Sequence, residues 1–380
     1  MNEDRLRAAE RLMDQFAART GLDGIGDPGR RYLWTDAFAV LAFLGLYRRT
    51  GSTEHLERAM TVVDLVHAYL GRHRSDDSRA GWISGLGEFA GARRPTAGGL
   101  RIGKPLPERG ILEAFDGQVE WERDGQYFHY LTKWMHALNR MSLATGDPQW
   151  NRFAVDLALV AHATFVHEPH PGGPKRMFWK MSIDLSRPLV RSMGHLDPLD
   201  GYTTLATVRA AERRHDPSFS ALDGAIADMH RMCGEVRDWS SGDPLGIGGL
   251  LAEASMLDEL VASGEVPPDP LLDRIRRDAL RGLEAFVARD ELLAPATDRL
   301  AFRELGLAIG LQAVGADETF TPYLPIVDAV ESSWRSPVAQ SSIGWIAHQD
   351  INSVMLATSL VPDAITSTWE HLAAGRPACA

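Results

Sequence analysis

Apolar residues recur at spacings of three and four along most of the chain, and no stretch shows the two-residue alternation of a half-buried strand. The pattern predicts an all-α protein. A first amphipathic helix covers 3–19. Gly21, Gly24, Gly26, Pro28 and Gly29 break it, and Tyr32 to Arg49 (YLWTDAFAVLAFLGLYRR) predicts a second helix that is apolar on nearly every side. Thr50-Gly51 stops that helix, and Ser52 or Thr53 caps a third that runs to about Leu70 with a wet face of Glu54, Glu57, Arg58 and Asp64. The alternation then repeats. Gln126 to Ala144 is followed by 149–165, Asp200 to Arg213 by 218–236, Gly246 to Ala262 by 270–288, and Arg299 to Val314 by 322–335. Ile343 to Leu360 closes the series, with a short helix near 364–373. Taking the first helix as the outer partner of the last buried one gives six inner and six outer helices, the number of a closed ring.

The connections alternate as well. Inner-to-outer turns are short (TGS, TGDP, HDP, SGEVPPD, GADETFT), whereas three outer-to-inner connections, 20–31, 72–124 and 166–197, are long. In a ring of antiparallel hairpins all the long loops fall on one end, where the inner helices begin. Loops held by a rigid scaffold carry function, and helix N-termini favour anionic groups, so chemistry is expected at that end. Aligning the short turns places Asp36, Leu131 and Asp200 at equal depth in three inner helices.

The chain has 380 residues and a net charge of -11, with acidic and basic residues interspersed. That argues against a nucleic-acid partner, which calls for a basic stripe. The expected domain is a single ring over 1–380, with the 72–124 and 166–197 loops over its mouth. Two cysteines, Cys233 and Cys379, form no CxxC and fit a reducing compartment. Residues 1–20 lack the apolar core of a signal peptide, and the longest apolar run, Ala37 to Tyr47, is too short to span a bilayer. A soluble, cytoplasmic protein without a membrane partner is expected. The histidines have no paired zinc spacing, so no catalytic metal and no cofactor are expected. The stretch GDPLGIGG at 242–249 lacks the Lys-Ser/Thr of a phosphate loop and reads as close packing.

Six helical hairpins with buried inner helices resemble the (α/α)6 toroid of the six-hairpin glycosidase-like superfamily, which includes several glycoside hydrolase families and the N-acylglucosamine 2-epimerase group. The resemblance rests on helix count and loop alternation over nearly the whole chain. It implies a carbohydrate-sized pocket at the long-loop end; no family-specific catalytic motif is matched, so it assigns no residue.

The segment FDGQVEWERDGQYFHYLTKWMHALN (115–139) concentrates candidate chemistry. Glu122 and Asp124 precede a helix whose first turns carry Tyr127, His129, Tyr130 and Lys133, while His136 lies deeper and reads as a core histidine. The Pro- and Gly-rich 91–104 stretch reads either as disorder or as part of a folded loop. In the second loop, Trp179, Lys180, Arg187, Arg191 and His195 are interleaved with methionines, and the arginines read either as an anion clamp or as partners of Asp184 and Asp197. Trp34, Glu304, Trp345, His348 and Asp350 open other inner helices, with Asp298, Arg303 and Glu304 a candidate internal salt bridge.

Three functions follow as expectations. Hydrolysis of a glycosidic bond needs one protonated and one ionised carboxyl group, with Asp124 as acid and Asp200 or Asp36 as base. Sugar epimerisation or isomerisation would instead use His129, His195 and His348 as proton carriers, with Lys133 or an arginine at the developing oxyanion. A non-catalytic binder, or an enzyme for an apolar, terpenoid-like substrate, uses the same ring. The partner in the first two cases is a saccharide; the sequence leaves the oligomeric state open.

Overall fold

The structure, a computed structural model, describes residues 3–315 and 317–366. In chain order the helices are α1 (Glu3–Arg19), α2 (Leu33–Thr50), α3 (Thr53–Leu70), α4 (Glu88–Arg93), α5 (Gly117–Glu122), α6 (Phe128–Thr145), α7 (Pro148–Phe165), α8 (Asp197–Arg213) and α9 (Asp223–Glu235). They continue with α10 (Pro244–Ala262), α11 (Leu271–Ala288), α12 (Ala301–Ala313), α13 (Pro325–Arg335), α14 (Pro337–Gln340), α15 (Ile343–Ala347), α16 (Gln349–Leu360) and α17 (Asp363–Thr366). The part of the expected 364–373 helix beyond 366 lies outside the described residues, as does Cys379.

The chain divides into two compact units. Among the described residues, one comprises Glu3–Arg19, Phe38–Ala59 and those from Val236 to Thr366; the other comprises Thr20–Ala37 and Met60–Glu235. In the first, α10, α12 and α16 pack side by side, with α11 and α13 laid against α10 and α12, and α1 against α16. In the second, α6 and α8 pack together and carry α7 and α9 on their outer sides. Composition explains this division of labour. All of α8 except Arg213 is buried, and in α6 only His129, Lys133, Ala144 and Thr145 escape full burial. In α7 and α11 only a stripe at helical spacing is covered, as expected of helices with one wet face.

Local signals set the helix ends. Gly146 ends α6 in the left-handed region, and the Asp147 carboxylate caps α7 by accepting from Gln149 N–H with Pro148 at the first helical position. Asp243 and Pro244 do the same for α10. The glycines of 242–249 are there for close packing: a Cβ on Gly248 would lie 2.1 Å from the Gly306 carbonyl oxygen in α12. Asp36, Leu131 and Asp200 are each the fourth residue of their helix, as the turn alignment required.

The structure corrects two expectations and settles a third that the sequence left open. Short strands exist, β1 (Gln126–Tyr127), β2 (Val166–His167), β3 (Arg176–Met177), β4 (Lys180–Met181) and β5 (Pro188–Val190), paired in the orders β1-β4-β5 and β2-β3. Two- and three-residue strands have too few positions to show a period. The 343–360 helix is broken into α15 and α16 at His348. The 91–104 stretch is a folded segment whose Thr96, Leu100 and Ile102 are fully buried.

Candidate active site

The second unit brings together the first turns of α6 and α8, the end of α5, and the residues preceding α2 and β4. Strand pairing starts the assembly. Tyr127 lies opposite Lys180 in the β1-β4 ladder, which sets the neighbouring Trp179 against the Tyr127 ring, with centroids 5.3 Å apart. Trp179 also stacks on His129 (6.3 Å) and meets Trp121 (6.0 Å), while Tyr130 meets Tyr127 (5.2 Å), His129 (4.8 Å) and Tyr32 (5.6 Å). The Tyr32 and Tyr130 hydroxyls share a 2.6 Å hydrogen bond. Burial pushes the Tyr32 phenol up to about 12, so this pair stays protonated. Trp121 keeps 47% of its surface exposed, giving the cluster a solvent-facing aromatic wall.

His129 and Lys133, one helical turn apart, form the incompletely buried stripe of α6, and the first turn of α8 faces them. Asp197 Oδ1 is 3.7 Å from His129 Nδ1, and Asp200 Oδ1 is 3.4 Å from Lys133 Nζ. Gly194 N–H donates to Asp197 Oδ2 at 3.1 Å, and a side chain at Gly194 would collide with that carboxyl group. Burial pushes Asp197 up to about 7, against the pull of the Gly194 N–H and the Lys133 ammonium. Burial, with Lys133 adding to it, holds the His129 imidazole well below its ordinary range and therefore neutral. Its buried Nδ1 has no hydrogen-bond partner among the described residues. A carboxyl group half-protonated near neutral pH thus faces an unpaired neutral imidazole nitrogen.

Other candidates are consumed by structure. Asp124 is completely buried: Oδ2 accepts from Arg101 Nη1 at 2.5 Å and Arg74 Nη1 at 3.3 Å, and Oδ1 from Gly103 and Gly125 N–H, each at 3.0 Å. No face of it is left for a substrate, which corrects its assignment as acid. Asp36 is also buried, accepting from Tyr32 N–H (3.0 Å) with Arg31 Nη1 at 3.4 Å, so it is no open base. Lys180 is buried and donates to Glu120 Oε1 and to the Glu120 and Arg123 carbonyls, which corrects its reading as a substrate contact. It anchors α5 and so positions Trp121. Trp34 is buried in the first turn of α2, Glu122 is exposed, and His195 and Arg191 are exposed ahead of α8. Arg187 donates to the Arg109 carbonyl, Asp184 pairs with Arg79, and Asp197 faces His129, so Arg187 and Arg191 are not the partners of Asp184 and Asp197. His136 is buried, donor to none and 3.4 Å from Arg140 Nε, as a core histidine should be.

The remaining candidates belong to the first unit. Glu304 is chelated by Arg299 and accepts from Trp334 Nε1 at 2.8 Å, so the salt bridge there is Arg299–Glu304, while Arg303 pairs with Asp243. Trp345 is buried against Trp334, Asp350 accepts from Arg19 at 2.8 Å, and His348 is exposed beside the Phe302 ring. Among the described residues no group of three or more His, Cys, Asp or Glu is arranged to hold a metal ion. No helix among them is long and apolar enough to cross a membrane. A cavity of about 680 Å³ in the second unit, lined by Phe89, Arg93, Arg94, Arg152 and Asp156 among others, shares no residue with the aromatic cluster.

Comparison of the backbone with solved structures settles the fold. The alpha-1,6-mannanase of Salegentibacter sp., solved with alpha-1,6-mannotriose, superposes with a TM-score of 0.56 over 94% of this chain and 99% of its own, at 12% identity. The chain has the fold of the six-hairpin (α/α)6 toroids. The cellobiose 2-epimerase of Spirochaeta thermophila matches at 0.52, covering 93% of this chain and 97% of its own at 13% identity. A D-mannose isomerase matches at 0.51, covering 95% and 98% at 12% identity. No protein-family model matches the chain, and no curated protein matches it in sequence. At these identities the likeness speaks for the fold.

Asp197, the most perturbed carboxyl group of the cluster, was missing from the sequence candidates. The signal was present: Asp197-Pro198 repeats the Asp147-Pro148 and Asp243-Pro244 pattern at the start of a helix. Starting α8 at Asp200 left Asp197 in the loop.

Proposed function

We propose that the whole chain is one enzyme domain, cytoplasmic, that acts on a saccharide by acid–base chemistry and hydrolyses a glycosidic bond. The carrying observation is the pair Asp197 and Asp200 on one turn of α8, beside an aromatic wall. Residues three apart on a helix share a face, with Cβ atoms about 5–6 Å apart. Asp197, pushed up to about 7, retains a proton for the leaving oxygen, while Asp200 is paired with the Lys133 ammonium. Trp121 and Trp179, backed by the buried Tyr127 ring, offer flat apolar faces to the C–H side of a pyranose. The similar mannanase, solved with alpha-1,6-mannotriose, and the similar cellobiose epimerase and mannose isomerase make mannose- and glucose-based oligosaccharides the first panel to test. An inactive form of that mannanase carries asparagine in place of two consecutive aspartates. Here the consecutive pair Asp76 and Asp77 is taken up by Arg74 and Arg79, so the acids of this chain are assigned to α8.

A second reading, epimerisation next to a carbonyl, is favoured by one observation: the partly exposed His129 imidazole and the Asp197 carboxyl group stand 3.7 Å apart, two groups between which a proton can pass at one site. The two separate in heavy water. Deuterium enters the product's carbon skeleton in epimerisation and stays out of it in hydrolysis. A panel on which the wild type releases no sugar and exchanges no carbon-bound hydrogen would defeat both.

A further inference from the structure

The lysines around the cluster differ in how they are paired. Lys133 has Asp200 and Lys180 has three oxygen acceptors. Lys104 has neither arrangement. Its half-buried ammonium stands 5.4 Å from the Tyr32 ring centroid and 5.0 Å from that of Trp121, and no described residue brings an acceptor within hydrogen-bond or ion-pair distance of it. Its backbone, by contrast, is fixed. The Lys104 carbonyl accepts from Arg74 at 2.7 Å, and Gly103 N–H donates to the locked Asp124. Gly103 adopts a φ of +90°, where a side chain would strike the Arg31 carbonyl oxygen. The buried ion-pair clamp thus presents a cation at the edge of the aromatic cluster.

An ammonium has three donors, and partial burial without acceptors is costly. Burial lowers the Lys104 pKa even though the charges of Glu122 and Asp124 pull it up, so the protein's own carboxylates do not fully offset the desolvation. The hydroxyls of a neutral sugar would meet the donors but not the charge. An anionic oxygen meets both.

We propose that Lys104 is a specificity residue that selects saccharides bearing an anionic substituent, a carboxylate or a phosphate monoester, while the sugar ring stacks on Trp121. The inference rests on the saccharide reading of this site. It is tested by calorimetric titration of the wild type, Lys104→Met and Lys104→Arg with glucuronate, glucose 6-phosphate and glucose, and with their mannose counterparts. The wild type binds at least one charged sugar about 10-fold or more tighter than its neutral parent, the range of a charge-assisted hydrogen bond. Lys104→Met abolishes that preference and keeps neutral binding within about twofold, and Lys104→Arg preserves the preference. Which charged sugar wins identifies the anion. Neutral and charged sugars binding alike, or Lys104→Met weakening all of them equally, overturns the inference and leaves the saccharide reading standing. Absence of binding by every sugar, charged or neutral, overturns the saccharide reading and this inference with it.

Discussion

Two groups of buried charges in the same unit are built on opposite terms. Around Asp124 and Lys180 every charge is answered: Asp124 by two arginines and two backbone N–H groups, Lys180 by three oxygens. At the first turns of α6 and α8, Asp197 has one backbone donor and an imidazole 3.7 Å away, and His129 Nδ1 has no hydrogen-bond partner among the described residues. Both groups are buried and polar, and each held one catalytic candidate of the sequence, Asp124 in the first and His129 in the second. Complete pairing marks a clamp that holds loops, because nothing remains for a ligand to satisfy. Incomplete pairing leaves a protonation state near its midpoint, which is what acid–base catalysis needs.

The largest expected effect separates the two groups by activity. Asp197→Asn is expected to lower kcat/KM by about 10²–10⁴, the range of a lost general acid, with the melting temperature kept or raised. Steady-state kinetics and a thermal melt on the same preparation check it; full activity would move the acid elsewhere. Next, Asp124→Asn leaves Arg101 without its countercharge and is expected to cost about 3–5 kcal/mol of stability, read by urea denaturation. A variant as stable as the wild type would show that the clamp is dispensable.

The pH dependence sharpens the same contrast. Asp197 has its folded-state pKa raised from 3.8 to about 7, so between those values the folded protein holds a proton that the unfolded chain has released. The stability it contributes is present below about pH 4 and is lost as pH rises through 7. Asp197→Asn should therefore gain on the wild type across that window by about 4 kcal/mol, seen as a melting-temperature difference that widens with pH. For the same reason wild-type kcat/KM should fall above about pH 7. A difference that stays flat would place the raised pKa in doubt. The smallest effect concerns the exposed wall: Trp121→Ala should raise KM about 10-fold with little change in kcat or stability, as removal of a stacking surface does.

Much of the architecture was legible in the chain. Helical periodicity, the Thr-Gly and Asp-Pro turns and the alternation of loop lengths placed the inner and outer helices within a few residues, because these signals are local and each has a steric or hydrogen-bonding cause. The same turns put Asp36, Leu131 and Asp200 at one depth. The members of the segment 115–139 divide: Tyr127, His129, Tyr130 and Lys133 join the cluster, while Asp124 is buried in the clamp. The local Asp-Pro pattern marks Asp197 as a helix start, but nothing local shows which of Asp124 and Asp197 is paired, since Arg101 and Arg74 come from 23 and 50 residues before Asp124. His348 read as part of an inner helix, but it sits in a break, exposed beside Phe302.

The sequence by itself determined where the long helices run, which of them are buried on nearly every side, and which loops are long; the short helices α4, α5 and α14 and the break at His348 escaped it. Tertiary structure alone decided which charges are satisfied. Periodicity is a property of neighbours three and four apart, whereas the state of a buried carboxyl group depends on donors that arrive from distant segments and on the water they displace. Asp124 and Asp197 are both aspartates beside helix starts, and only the assembled donors made one a clamp and left the other half-protonated.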